Sequence, residues 1–294
     1  KPGKKLAWRA DFDGLAIQEA NDLPFKSQNP GVMHACGHDG HTAYLLILAK
    51  CLIELKDEIN GSIRIIHQPA EEVAPGGALS MIEDGALDEV DDIYGIHVMS
   101  TMPTGTVQLH SGPTQTGRAN FDLTFTGKGG HASMPQLSND TIVAGSYFVT
   151  ELQTIVSRRL NPFDVGSVTI GSFDGAGSYN AIKGQVKLKG DVRVMNEETR
   201  TLIRQQIEQI VNGVDATFGV KSKLNYDDNY PVLINNEELT KNAEKWIKES
   251  HIPEVTAVKD SGVVNASEDF AYYAQKKPGC FFYVGCQPAD GGNY

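Results

Sequence analysis

Positive charge is scarce in this chain. Of 294 residues, 26 are Lys or Arg against 37 Asp or Glu, a formal net charge of −11. Nucleic acids and anionic membranes are gripped by clustered Lys and Arg, so neither is an expected partner. A small anionic substrate stays open, because one local arginine suffices for it. Cysteine is scarce as well: Cys36, Cys51, Cys280 and Cys286 are too few and too irregular for a disulfide framework. They fit a reducing compartment, and a cytoplasmic location is the expectation. Long apolar runs are missing, the longest, residues 44–55, being interrupted by Lys50 and Glu54. No secretory signal, internal repeat or low-complexity tract is visible. The chain opens on Lys1 and not on Met, which leaves room for a segment upstream.

What is present describes a globular protein. With 40% hydrophobic and 21% charged residues, the length suits one large domain or two of ordinary size. Residues 6–11 read as a short strand and 21–32 as a surface loop. Residues 42–59 carry good helix formers with apolar side chains around most of the circumference, which predicts a helix buried on more than one side. Strands follow at 62–67, 93–98 and 106–110, with a short helix at 77–84 stopped by Gly85. Strands alternating with helices at this spacing predict an α/β unit with a mixed, largely parallel sheet. The texture changes near Gly112. From there the order is strand (120–126), helix (141–160), two strands (167–173 and 185–194), helix (198–218) and strand (221–226). That is β-α-β-β-α-β, a ferredoxin-like α+β domain inserted into the first. The expected division is therefore 1–111 with 229–294 for the α/β domain and 112–228 for the insert. A helix at 237–250, a turn from Ser267 and an apolar strand at 280–284 return to the first domain.

The densest chemistry lies in Met33-His34-Ala35-Cys36-Gly37-His38-Asp39-Gly40-His41. Thiolate and imidazole are the usual ligands of zinc and similar divalent ions. On an extended segment Cys36 and His38 would project to one side, with His34 a weaker third candidate. A lone histidine or cysteine is more often a satisfied core residue than a ligand; the density here, and the partners further along the chain, reverse that expectation. Glu71-Glu72 comes just past a buried strand, at the carboxyl end where α/β sheets place ligands. Neighbouring carboxylates on extended backbone point apart, so one could hold a metal while the other serves as a base. His97 lies near the end of an apolar strand. His131 follows a glycine-rich turn, Gly127-Lys128-Gly129-Gly130.

Together these motifs resemble one family. Arg9-Ala10-Asp11, the stretch from His34 to His41, Pro69-Ala70-Glu71-Glu72, Gly95-Ile96-His97, Gly127 to His131 and Ser267-Glu268-Asp269-Phe270 are similar to the aminoacylase/carboxypeptidase family of dinuclear metallohydrolases. Within it the match is to the amidohydrolase branch of hippurate hydrolases, N-acyl-amino-acid amidohydrolases and plant auxin-conjugate hydrolases. Cysteine in place of the wider family's bridging aspartate separates this branch.

The resemblance implies an enzyme that cleaves the amide bond of N-acyl-L-amino acids with two divalent ions (zinc, manganese, cobalt or nickel). It implies Cys36 bridging or joining the ions, His38 on one of them, and Glu72 and His97 as ligands on different ions. Glu71 would be the general base. His131 would reach across a homodimer interface into the partner's site and steady the oxyanion. Asn180 and Arg193 match positions that grip the substrate carboxylate, and Asp11 a second-row acid that orients a ligand; His34 and His41 are left as structural or supporting. One departure stands out: the family's last histidine ligand, near its C-terminus, has no counterpart, since no histidine follows His251. The match breaks off at both ends without prior divergence, which reads as a piece of a longer protein. Two other readings fit the same motifs, a dipeptidase or aminopeptidase and a non-catalytic homologue with a partly metallated site.

Overall fold

The structure, a computed structural model, describes residues 2–288; residues 289–294, where the match breaks off, lie outside them. The chain begins β1 (Lys5–Asp11), α1 (His38–Glu54), β2 (Ser62–Gln68), α2 (Ala78–Glu83), β3 (Asp92–Pro103), β4 (Thr106–Leu109) and β5 (Gly112–Gln115). It continues β6 (Gly117–Thr126), β7 (Gly130–His131), α3 (Thr141–Thr154), β8 (Gly166–Asp174), β9 (Ala181–Ile182), β10 (Gln185–Val194), α4 (Glu197–Phe218) and β11 (Lys221–Tyr230). It closes with β12 (Leu233–Asn235), α5 (Glu237–Glu249), β13 (Ala257–Asp260), α6 (Phe270–Lys276) and β14 (Gly279–Gln287). Two compact units result: residues up to Gln115 together with those from Leu233 onward, and Thr116–Val232.

The first unit is built on a six-stranded sheet in the order β13-β4-β14-β3-β1-β2. Every pairing is parallel except β14 with β4. Parallel strands covered on both faces are apolar along their length, and Ala7, Ile93 and Phe281 in β1, β3 and β14 are fully buried. Gly95 in β3 belongs to that packing: a Cβ there would come within 2.8 Å of the Phe281 ring and 2.9 Å of Phe270. Bare backbone is what lets the two rings close on the strand.

Helix α1 lies against β1, β2 and β3, but it starts and ends earlier than the expected 42–59. It is also buried on one side only, a correction to the expectation of burial on several. His38, His41 and Leu45 are covered, while Leu46, Ile47 and Ile53 are 59%, 63% and 67% exposed. Apolar side chains ring the helix, but the sheet can cover only the stripe that faces it. Its first residue is set by Gly37, whose φ of 87° is a left-handed conformation that glycine adopts without strain.

The second unit has a four-stranded antiparallel sheet, order β11-β6-β10-β8, with α3 and α4 packed on it. The element order is the anticipated β-α-β-β-α-β. Alternate residues Phe121, Leu123 and Phe125 of β6 and Val186, Leu188 and Val192 of β10 meet Phe148 and Leu152 of α3 and Ile203 and Ile207 of α4. Helix starts are fixed by side chains: Asp140 accepts from the amides of Ile142 and Val143, and Asn196 from that of Thr199. The helix expected over 141–160 ends at Thr154 and gives way to one π turn over Ile155–Arg159. Among the described residues no helix is long and apolar enough to cross a membrane.

Candidate metal centre

Three segments of the first unit converge past the carboxyl ends of its parallel strands. β1 delivers Asp11 and then Asp13, β2 leads into Glu71 and Glu72, and β3 carries His97. The stretch from His34 to His41 is not extended, contrary to the expectation that set Cys36 and His38 on one side of a strand. Cys36 sits in a loop, Gly37 turns the backbone, and His38 opens α1. The thiol and the ring meet nonetheless.

One potential ligand atom each from Cys36, His38 and His97 lies within 4.8 Å of the other two, and the same holds for His38, Glu71 and Glu72. His38 is common to both groups, so the two sets lie side by side. His34 belongs to neither.

The hydrogen bonds around these rings decide which nitrogens face inward. His97 donates through Nδ1 to the carbonyl of Val98 at 2.5 Å, which turns the lone pair of Nε2 toward Cys36 Sγ, 3.4 Å away. His38 Nδ1 is 3.0 Å from Asp13 Oδ1, while its Nε2 points at Glu72 Oε1, 3.8 Å away. His41 is fully engaged, accepting from the Val98 amide at Nε2 and donating through Nδ1 to Asp11 at 2.5 Å. It has no lone pair left for a metal. Asp11, expected to orient a ligand, holds His41 at that distance and lies 3.8 Å from His38 Nδ1; the short bond to the His38 ring comes from Asp13.

Two atoms expose what the cluster is suited to. His38 Nε2 and Glu72 Oε1 are buried and have no hydrogen-bond partner among the described residues. Orphaned buried polar atoms are costly and rare, and two of them facing each other beside a thiol form a donor set of S, N and O that fits a divalent cation. Burial, then the charges of Glu72 and Glu71, push the Cys36 thiol far above its usual range. Burial pulls the His97 imidazole down to about 4, with His41 adding to it, so it is neutral and able to ligate. A bound cation reverses the pressure on the thiol, because its charge favours the thiolate.

Behind this cluster lies a buried ionic network. The Arg9 guanidinium donates to Gln68 Oε1 at 2.8 Å, Asp11 Oδ2 at 2.6 Å and Asp269 Oδ1 at 2.6 Å, and is 2.9 Å from Glu268 Oε1. Asp269 also accepts from Gln68 Nε2 and the Ala78 amide. Glu71 is 7% exposed at the edge of the network. Burial, with Asp269, Glu72 and Asp11 adding to it against Arg9, pushes its carboxyl up to about 8. Two acids inside the SEDF motif, Glu268 and Asp269, thus support Arg9, a role the motif alone did not assign. Asp13 was missed outright. Its signal was the spacing Asp11-Phe12-Asp13 at a strand end, which sends both carboxylates to one side.

The remaining predicted residues lie in the second unit. His131 in β7 is exposed; its Nδ1 accepts from the Ser133 amide at 3.2 Å and is 2.8 Å from Ser133 Oγ. A nitrogen that accepts from a backbone amide carries no proton, so in the neutral ring Nε2 is the donor. β7 pairs with β9 so that His131 faces Ala181, and the Ala132 amide donates to the carbonyl of Asn180. His131 and Asn180 are therefore neighbours. Arg193 sits at the other end of β10, opposite Arg118, and donates through Nε to Asp191 at 2.8 Å.

Residues 7–293 match the peptidase family M20/M25/M40. The N-acyl-L-amino acid amidohydrolase of Geobacillus stearothermophilus is 41% identical over 238 residues, 81% of this chain and 64% of the relative. The N-acetyl-L-cysteine deacetylase of Bacillus subtilis is 38% identical over 283 residues, 96% of this chain and 67% of the relative. Among solved structures, the Bacillus subtilis YXEP protein, described as a dinuclear metal binding peptidase from the M20 family, superimposes with a TM-score of 0.81. It is 30% identical, covering 97% of this chain and 73% of that one.

Proposed function

The chain belongs to peptidase family M20/M25/M40 and is a metal-dependent amidohydrolase with two divalent ions; from that premise we propose that it hydrolyses N-acyl-L-amino acids to a carboxylic acid and a free amino acid. In this reading Cys36, His38, Glu72 and His97 hold the ions, Glu71 is the general base, and Asp11 steadies the cluster through His41. The observation that carries it is the pair of orphaned atoms, His38 Nε2 and Glu72 Oε1, with the buried carboxyl of Glu71 next to them.

An amide resists attack because its carbonyl is resonance-stabilised and neutral water is a poor nucleophile. Divalent ions, when bound, supply the missing activation by lowering the pKa of water toward about 7 and polarising the carbonyl. Glu71 takes a proton from the attacking water and returns it to the nitrogen of the departing amine, so that one C–N bond breaks as one C–O bond forms. The same burial that raises its pKa makes it a proton carrier near neutral pH. His131, presenting Nε2–H, donates to the oxygen that gains negative charge; it acts on the partner's site in a homodimer formed through the second unit. Arg193 and Asn180 are assigned to the carboxylate of the amino acid, which a guanidinium can bind with two parallel bonds; lying at opposite ends of the second unit, they would reach it from different subunits.

Replacing Glu71 with Gln keeps shape and removes the base. Turnover of N-acetyl and N-benzoyl amino acids is expected to fall by about 100- to 10,000-fold, with metal content nearly unchanged. Loss of metal together with activity would mean that Glu71 is a ligand and that the two glutamates exchange roles. Faster cleavage of unblocked dipeptides than of the acylated substrates by the unaltered enzyme would favour a dipeptidase instead.

A further inference from the structure

The carboxylate of Asp13 ties together two of the residues assigned to the ions, one through its ring and the other through its backbone amide. Its Oδ1 is 3.0 Å from His38 Nδ1, and its Oδ2 accepts from the backbone amide of Glu72 at 3.0 Å. The two partners come from segments far apart in the chain, the first residue of α1 and the turn beyond β2. Asp13 itself is anchored by the Phe12 amide, which donates to the carbonyl of Gln68 at 3.0 Å, so the loop that carries it is pinned to the end of β2.

An ionised carboxylate only accepts. Because it accepts from the Glu72 amide on one oxygen, the bond on the other is donated by His38 Nδ1–H, which leaves the lone pair on Nε2, the orphaned atom that faces Glu72 Oε1. We infer that Asp13 is a positioning residue for the metal centre: it sets the tautomer of His38 and holds the backbone of Glu72 so that both donor atoms face one point before any ion arrives. Asp11 does not duplicate this, since its own oxygens are taken by His41 and Arg9. Asparagine at position 13 offers one acceptor oxygen and one NH2 group, so it satisfies one of the two donors and opposes the other.

The inference rests on the proposed ligand assignment, and the experiment separates the two. Cobalt(II) is titrated into metal-free wild-type chain and into Asp13→Asn, following the absorption bands of the bound ion and the melting temperature with and without cobalt. The expected result is a Kd weaker by about 10- to 100-fold in the variant, with a smaller cobalt-induced rise in melting temperature. In 15N spectra the metal-free wild type is expected to carry its His38 proton on Nδ1, and the variant to mix both tautomers. Should Asp13→Asn fail to fold, Asp13→Ser leaves both donors to water and is read in the same way. Equal cobalt affinity and an unchanged His38 tautomer overturn the inference about Asp13. A lower melting temperature with an undiminished cobalt-induced rise does so too, since the residue is then merely structural. Absence of cobalt binding by the wild type overturns the ligand assignment instead.

Discussion

At the scale of single residues, the site is governed by what burial does to charge. Glu71 sits between a guanidinium that would ionise it and a burial cost, reinforced by other carboxylates, that keeps it protonated; burial wins and the carboxyl titrates near 8. A group whose folded pKa is raised contributes stability that is complete below its unfolded value of 4.5 and is lost as the pH climbs through 8. The metal-free protein should therefore melt at progressively lower temperature between pH 6.5 and pH 8, above the range in which the depressed His97 imidazole acts in the opposite direction, and Glu71→Gln should flatten that slope. Thermal melts across this range check it; a metal-free melting temperature that rises with pH would contradict the assignment. Asp11 does not obscure the trend. Arg9 and the hydrogen bond from His41 hold its carboxyl below the usual range despite burial, so its own loss of stability comes at more acid pH.

At the scale of elements, the alternation of apolar residues was a good guide wherever a strand or helix has one covered face. The order of the second unit was legible for that reason, and the strand carrying His97 because an unbroken apolar run marks a strand covered on both faces, with ends shifted by a few residues. The approach to α1 was not. His38-Asp39-Gly40-His41 has no apolar periodicity, and what starts the helix there is the left-handed turn at Gly37 and the bonds that the two histidines make to Asp13 and Asp11. Those bonds join positions far apart in the chain, which no local pattern encodes. Two short elements escaped as well, β13 of four residues and α6 of seven, although β4 and α2 of similar length did not. The burial of α1 was overestimated because composition records how apolar a helix is and not how many neighbours it has.

At the scale of the whole molecule, chemistry-bearing residues are divided between two units. The candidate ligands and Glu71 belong to the first, His131, Asn180 and Arg193 to the second. Motif order along the chain made both sets visible, whereas the supporting roles of Asp13 and Glu268 were assigned only by their contacts in three dimensions. If His131 serves the partner's site, His131→Ala and Glu71→Gln should each be nearly inactive alone. Mixed, they should recover activity up to about a quarter of wild type, because a C2 heterodimer carries one complete site. Activity of the mixture no higher than that of its components would place His131 outside the partner's chemistry.

The expectations about activity depend on a thiolate and imidazoles gathering around ions in the first unit. X-ray absorption at the zinc edge of the loaded chain tests this directly. A sulfur scatterer at about 2.3 Å beside imidazole nitrogens is expected, with the sulfur shell gone in Cys36→Ser. A spectrum of oxygen and nitrogen alone in the wild type, or a sulfur shell that survives Cys36→Ser, would rule that gathering out.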